Sequence, residues 1–287
     1  MSSVAEAAES AGVDDGISIS VSLVVYHSPE AELEKTLRSL GKAVGFLSEN
    51  RSLTSCSLLV VDNAPGGQPG LEDLLQETLD PGFIDHRLIR SNTNLGFGRA
   101  HNRALSEGAG DFHLVLNPDV QMEGSALLRA CEYLEAHPGV GLITPKARDE
   151  RGRRQYLAKC YPSVVDLLLR GFAPRWMQRR FSRRLAAHQL QGVAEDQPVT
   201  VDIASGCFML FRASVLRELG GFDPGFFMYF EDFDLSLRTA SVASVAYVPQ
   251  VRITHAGGGA SKKGWRHVWM FARSAIRFYG KHGWRWL

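Results

Sequence analysis

The chain has 287 residues, 45% of them hydrophobic, and a formal net charge of +1. That is ordinary for a globular protein and enough for a sizeable core, in one large α/β domain or two small ones. The near-neutral charge gives no global pull toward nucleic acid, and no apolar run approaches the roughly 20 residues that cross a bilayer. Four cysteines, Cys56, Cys131, Cys160 and Cys207, lack paired spacing, which argues against a disulfide framework or a zinc knuckle and fits a reducing compartment.

Met1 to Gly16 is small and acidic, without the basic and apolar regions of a signal peptide, and reads as a disordered leader. Ile17 to Tyr26 is a β-branched, apolar run, the mark of a strand buried on both faces. Ser28-Pro29 opens a helix, with Ser28 as N-cap, and Leu33, Leu37, Leu40, Val44 and Leu47 follow at helical spacing. Ser57 to Val61 is a second buried strand ending in Asp62-Asn63. A short helix over 71–79, a strand over 86–90 and a loop entering a helix over 94–107 come next. Phe112 to Leu116 is a strand that ends at Asn117-Pro118-Asp119, followed by a helix over 125–136 and a strand over 140–144.

The second half is less regular. Residues 146–190 are rich in arginine; 199–211 reads as a strand interrupted by Ser205-Gly206; 214–219 and 231–240 read as helices; 245–254 reads as a final strand. Trp265 to Lys281 is a basic amphipathic helix. The alternation predicts an α/β fold with a mostly parallel, Rossmann-like sheet and helices on both faces. Ligands then bind beyond the carboxyl ends of the strands, where His27, Asp62 and Asp119 fall.

Glu231, Asp232 and Asp234 stand in an aromatic run, 226–235, where burying an unpaired charge is costly, so one of them is expected to do chemistry. Asp232 and Asp234 project about 200° apart on a helix, so only one faces a substrate. Asp232 is the preferred base; Glu231 is placed to cap the helix and Asp234 to pair with Arg238. Asp119 is either a ligand for Mg²⁺ or Mn²⁺, which take few carboxylates plus substrate phosphates, or part of a turn capping the next helix. Asp62 is either a nucleoside contact or a turn aspartate. Arg99 and His101 are ligand contacts or solvated helix residues, beside a Gly96/Gly98 loop that lets a phosphate approach a helix start. His255, before Gly257-Gly258-Gly259, is a metal or diphosphate contact or a structural histidine. The basic aromatic segments 170–184 and 265–286 fit an anionic bilayer surface better than nucleic acid, the other reading being a helix packed on the domain.

Taken in order, Val24-Val25-Tyr26, Val60-Val61-Asp62-Asn63, Asn94-Leu95-Gly96-Phe97-Gly98 with Asn102, Leu116-Asn117-Pro118-Asp119, Gly206-Cys207-Phe208-Met209-Leu210, Gly221-Phe222-Asp223, Phe230-Glu231-Asp232-Phe233-Asp234 and His255 resemble the family 2 glycosyltransferases of GT-A fold, in their rhamnosyltransferase-like branch. The resemblance implies a GT-A domain over 17–262, with a nucleotide-sugar half (17–145) and an acceptor half (146–262); the basic amphipathic helix over 263–287 follows it. It implies a nucleoside-diphosphate sugar donor, with dTDP-rhamnose favoured, and a lipid-linked or growing glycan as acceptor. Asp232 stands at the family's base and Asp119 at its metal acid, with Asn117 in place of the motif's first carboxylate. His255 helps hold the metal or diphosphate. Val25, Tyr26, Asp62, Asn94, Gly96, Arg99, Asn102, Asn117, Gly206 and Glu231 are the expected substrate contacts. Transfer would be inverting, Mg²⁺- or Mn²⁺-dependent and cytoplasmic or peripheral at the inner face of the cell membrane. The alternatives are a galactofuranosyl, hexosyl or N-acetylhexosaminyl donor, or a catalytically silent sugar-nucleotide-binding scaffold.

Overall fold

The computed structural model describes residues 16–184, 196–257 and 265–286; the leader expected over 1–16 lies almost wholly outside them. In chain order the elements are β1 (Ile17–Val25), α1 (Glu30–Asn50), β2 (Leu53–Asp62), α2 (Leu71–Thr78), β3 (Asp85–Arg90), α3 (Phe97–Leu105), β4 (Phe112–Leu116), β5 (Val120–Met122), α4 (Ala126–Ala136), β6 (Val140–Arg148) and β7 (Arg154–Gln155). Then come α5 (Val164–Phe172), α6 (Arg175–Arg180), β8 (Val199–Thr200), β9 (Phe208–Arg212), α7 (Ala213–Glu218), α8 (Glu231–Ala240), β10 (Ser244–His255) and α9 (Trp265–His282).

The sheet runs β3-β2-β1-β4-β9-β6-β10-β5. Its first four strands are parallel, as the strand–helix alternation predicts. β6 and β10 are parallel too, but β9 is wedged between β4 and β6 antiparallel to both, so the sheet is mixed. This wedge positions the site. An antiparallel strand starts where its neighbour ends, so Cys207 at the head of β9 sits beside Asn117 at the foot of β4, and the Asn117 amide donates to the Cys207 carbonyl at 2.9 Å. β5 likewise runs antiparallel to β10, setting Val120 opposite His255.

The predicted α1 stripe of Leu33, Leu37, Leu40, Val44 and Leu47 is fully buried and packs on the same core as α4. The helix start differs from expectation. Ser28 is not the cap; Pro29 is, with no side-chain cap bond. A residue before proline is disfavoured in helical conformation, and the Ser28 backbone is taken by Gln68, whose amide both accepts from and donates to it at 2.9 and 3.0 Å. The short β5 and β7 and the helices α5 and α6 were not resolved by periodicity.

α9 does not stand apart from the domain. Phe278 and Tyr279 enter an aromatic cluster with Phe226 and Phe230 of the acidic-aromatic run. The rings that flank Asp232 in the sequence are therefore largely the socket for this helix. Two acids clasp it as well, Asp234 buried and Asp223 half-buried. Asp234, fully buried, pairs with Arg238 at 2.8 Å, Lys281 at 2.7 Å and His282 at 2.8 Å. Asp223 pairs with Arg277 at 3.0 Å and Lys281 at 2.9 Å. Burial alone would raise both carboxyls, but the hydrogen bonds outweigh it and hold Asp234 below its ordinary value and Asp223 at about 2. Acids with lowered folded values contribute stability that is complete above their unfolded value of about 4 and fades as pH falls toward the folded one. The clasp should thus loosen between about pH 4 and about pH 2. Asp234→Ala should remove about 2 kcal/mol at neutral pH, because it deletes the one buried carboxylate that Arg238, Lys281 and His282 share. Urea unfolding followed by tryptophan emission checks this; an unchanged midpoint would mean the clasp is idle.

Candidate active site

Two short segments meet on the carboxyl rim of the sheet, joined through Gly206-Cys207. Asp232, in the first turn of α8, accepts from the Gly206 amide at 2.9 Å through Oδ2 and from its neighbour Phe233 at 3.0 Å through Oδ1. Gly206 is closely packed: a Cβ there would lie 3.2 Å from the Phe97 ring and 3.3 Å from the Asp232 Cβ, tighter than ordinary contact. Burial raises the thiol of Cys207, next in sequence, to about 12, and the charges of both Asp119 and Asp232 add to it. The thiol is therefore inert as a nucleophile.

Burial raises the Asp232 carboxyl, while Lys159 and the two amides pull it partly back. Glu231, 6% exposed, is pushed to about 8 by burial and by the Asp232 charge, and its Oε2 is buried without a hydrogen-bond partner. Two adjoining buried acids do not both ionise cheaply. Burial and the neighbouring charge favour the proton on Glu231, while Lys159 and the two amides favour the charge on Asp232. The lead-in to this pair is strained: Tyr229 and Phe230, consecutive and non-glycine, have φ of 71° and 66°. Such residues cost about 1–2 kcal/mol each and persist only where surroundings fix them. Here Phe97 donates its amide to the Phe227 carbonyl at 3.0 Å, Ser274 of α9 donates to the Met228 carbonyl at 2.8 Å, and the Tyr229 hydroxyl meets His267 Nδ1 at 2.9 Å.

The other segment pairs Asp119 with His255. The carboxylate Oδ2 and the imidazole Nε2 are 3.5 Å apart, and Asp119 Oδ1 is buried with no partner. Gln155 fixes the histidine: its Oε1 meets His255 Nδ1 at 2.7 Å, and its amide donates to the His255 carbonyl at 2.8 Å. Burial lowers the imidazole, and the Asp119 charge only partly restores it, so its nitrogen is free to ligate. A Cβ on Gly257 would fall 2.5 Å from Asp119 Oδ2 and 2.6 Å from His255 Nε2; glycine leaves that space open. An orphaned carboxylate oxygen, a neutral imidazole and an open cradle fit a hard divalent cation that draws its remaining ligands from water and phosphate. Among the described residues no group of three His, Cys, Asp or Glu side chains could hold a metal alone.

The expected donor-side residues divide. Tyr26 is half exposed at the end of β1 and edges against His27 at 4.7 Å; Val25 beneath it is buried, its carbonyl accepting from Asn63. Asp62 is not open to the rim. It is 1% exposed, and its oxygens accept from the Ala64 and Gln68 amides at 3.2 and 2.7 Å, so it shapes the 63–68 loop. Asn63, rather than Asp62, reaches across: it accepts from the Leu95 amide at 2.8 Å and donates to Asn94 Oδ1 at 3.1 Å. Asn94 in turn accepts from Gly96, whose φ of 81° and contact with the Phe227 carbonyl require glycine. Asn102 is not presented to the rim either. Its amide both accepts from and donates to the Phe222 backbone, at 2.8 and 2.7 Å, and so locks the Gly221 turn to α3. Arg99 is exposed and donates to the Pro224 carbonyl at 2.7 Å. His101 is neither ligand contact nor solvated: it is fully buried, bonded to Ser22 at 2.8 Å, and driven to about 3 by burial and by His113. Lys159 and Gln155 were missed in the sequence, for they lie in an irregular stretch with no period; nothing short of the fold brings them to Asp232 and His255. A cavity of about 250 Å³ lies elsewhere, between α3 and α7, lined by Ser20, Leu105, His113, Leu216 and Arg217.

A doubly wound sheet that carries Asp232 and the Asp119–His255 pair beyond the carboxyl ends of its strands is of the GT-A fold class, with these residues where such sheets bind ligands. The family model described as "Glycosyltransferase like family 2" matches residues 71–287, and the chain belongs to that family. It is 30% identical over 246 residues to the N-acetylglucosaminyl-diphospho-decaprenol L-rhamnosyltransferase of Mycobacterium tuberculosis, covering 81% of this chain and 74% of that protein. It is 30% identical over 170 residues to the rhamnosyltransferase WbbL of Escherichia coli K12, covering 56% of this chain and 60% of that one. Among solved structures it matches the mannosyltransferase PcManGT of Pyrobaculum calidifontis in complex with GDP-Man and Mn²⁺, with a TM-score of 0.60 and 19% identity. That match covers 92% of this chain but 63% of the solved one, so the chain spans less than two thirds of its length.

Proposed function

We propose that this protein is an inverting rhamnosyltransferase that moves the sugar of a nucleoside-diphosphate rhamnose to a lipid-linked glycan in cell-envelope polysaccharide synthesis. The observation that carries the reading is the placement of Asp232 on the Gly206 amide, one residue from the Cys207 that pairs with the Asn117–Asp119 turn. The names of the bacterial relatives support the sugar and the lipid-linked acceptor.

In this reading the acceptor hydroxyl oxygen bonds to the anomeric carbon as the bond from that carbon to the diphosphate oxygen breaks. Asp232 takes the hydroxyl proton, and the nucleoside diphosphate departs with the bonding pair. A raised carboxyl is a stronger base, and Lys159 keeps it ionised. Asp119 and His255 would hold Mg²⁺ or Mn²⁺, which when bound offsets charge on the leaving diphosphate. Asn117 and Gly206 border the sugar. Tyr26 and the loop shaped by Asp62, Asn63, Asn94 and Gly96 receive the nucleoside. Neutral Glu231 keeps a second charge away from the base and can donate a hydrogen bond to the acceptor.

A thermal-shift screen of nucleotide sugars with Mg²⁺ or Mn²⁺ tests this. Donor at a hundredfold its dissociation constant adds about 2.7 kcal/mol, so dTDP-rhamnose should raise the melting temperature by several degrees. A larger shift with a galactofuranosyl, hexosyl or N-acetylhexosaminyl nucleotide would reassign the donor; no shift with any would end the proposal.

A further inference from the structure

We infer that the outer face of α9, with the neighbouring α5–α6 surface, is a docking surface for an anionic lipid bilayer. At about 100° per residue, Trp265, Val268, Trp269, Ala272 and Ile276 share one stripe. All five are exposed, Trp265 at 77% and Ile276 at 62%. One edge of the stripe borders the packed face of Ser274, Phe278 and Tyr279; the other borders Arg266 and Arg273, with Arg277 and Lys281, already paired to Asp223 and Asp234, beyond them. The helix therefore has three faces: one seated on the domain, one apolar and uncovered, one cationic. Arg273 lies 5.6 Å from the Trp269 ring centre, so the last two meet.

The surface continues past the helix. Trp284 stacks on Tyr279, and Trp286, 63% exposed, on Trp284. The backbone there is tied to α5, Val164 donating to the Arg285 carbonyl at 2.8 Å. α5 exposes Leu168, and α6 and its end expose Trp176, at 68%, and Phe181 beside Arg179 and Arg180.

The chemistry selects the occupant. Residues 265–286 contain five Arg or Lys and four Trp, and no Asp or Glu; 170–184 likewise has no acid. Indoles favour the headgroup level of a bilayer, arginines seek its anionic charge, and an amphipathic helix lies in that plane. No helix among the described residues is long and apolar enough to cross a membrane, so attachment is peripheral. This deepens the proposed function, because a lipid-linked acceptor is presented at such a surface, and the clasp through Asp223 and Asp234 ties α9 to the helix that carries Asp232.

Flotation of the full chain with vesicles of phosphatidylcholine, with and without phosphatidylglycerol, tests it. The protein should float with the anionic vesicles at low salt and be released at high salt. Each arginine near the surface contributes roughly fivefold, so R266Q with R273Q should weaken binding roughly 25-fold. W265S with W269S should abolish it. Both variants should keep the wild-type melting temperature and nucleotide-sugar shift, since these side chains are exposed. Absence of flotation at low salt overturns the inference, as does flotation that neither variant disturbs. A concentration-dependent dimer that W265S with W269S abolishes would reassign the stripe to a second copy of the chain. Flotation is read without turnover, so it can fail while donor binding stands, or stand while donor binding fails.

Discussion

Asp232→Asn is expected to lower transfer by about a thousandfold or more while leaving nucleotide-sugar binding nearly unchanged. General-base assistance is worth roughly 10²–10⁴-fold, and the amide has no basic oxygen of comparable strength. The asparagine is isosteric. One position of its amide group can still accept from Gly206, which keeps the loop against Asn117 in place. Relieving the buried charge should also lower the Glu231 carboxyl from about 8, because the Asp232 charge is one of its causes. Stopped-assay turnover and calorimetry separate the outcomes. Turnover within tenfold of wild type would remove Asp232 from the chemistry; a parallel loss of donor binding would make it a structural residue.

Asp119→Ala is expected to remove the dependence of donor affinity on divalent metal. In calorimetry, the gain that Mn²⁺ gives the wild-type chain should vanish, with a loss of roughly a hundredfold in affinity at saturating metal. Removal of a ligand's supporting partner alone costs about 10–100-fold. Gln155→Ala, which frees the His255 ring, should therefore fall between the two proteins. Equal donor binding by wild type and Asp119→Ala, with and without Mn²⁺, would show that the orphaned oxygen serves something else. Loss without any metal present would point to direct contact between Asp119 and the donor.

What could be read in the sequence was what repeats or terminates. The apolar run of β1, the leucine stripe of α1 and the strand that stops at Pro118 all carry a period or a breaker, and all are where the residues place them. Asp232 opens α8, Asp119 follows β4 and His255 closes β10, so the structure keeps all three at the element boundaries where the sequence puts them. Side-chain commitments were not. Asn102 and Asp62 have the composition of ligand contacts but are spent on backbone amides that only the folded loops bring near. The aromatic run pointed to a pocket around an acid, yet most of its rings serve α9, a partner over 30 residues later. His101 sits on a helix of mixed polarity, and nothing local signals that Ser22 waits for it across the sheet.

The wedged strand also forbids a convenient cut. β4 and β6 are neighbours of β9, which the ribosome supplies some 60 residues after β6 is complete. A fragment stopped near residue 150 would leave two rows of bare amides and carbonyls, a template for sticking to other copies. The chain before residue 150 and the chain after it thus share one ladder, and neither can be harvested as an autonomous module.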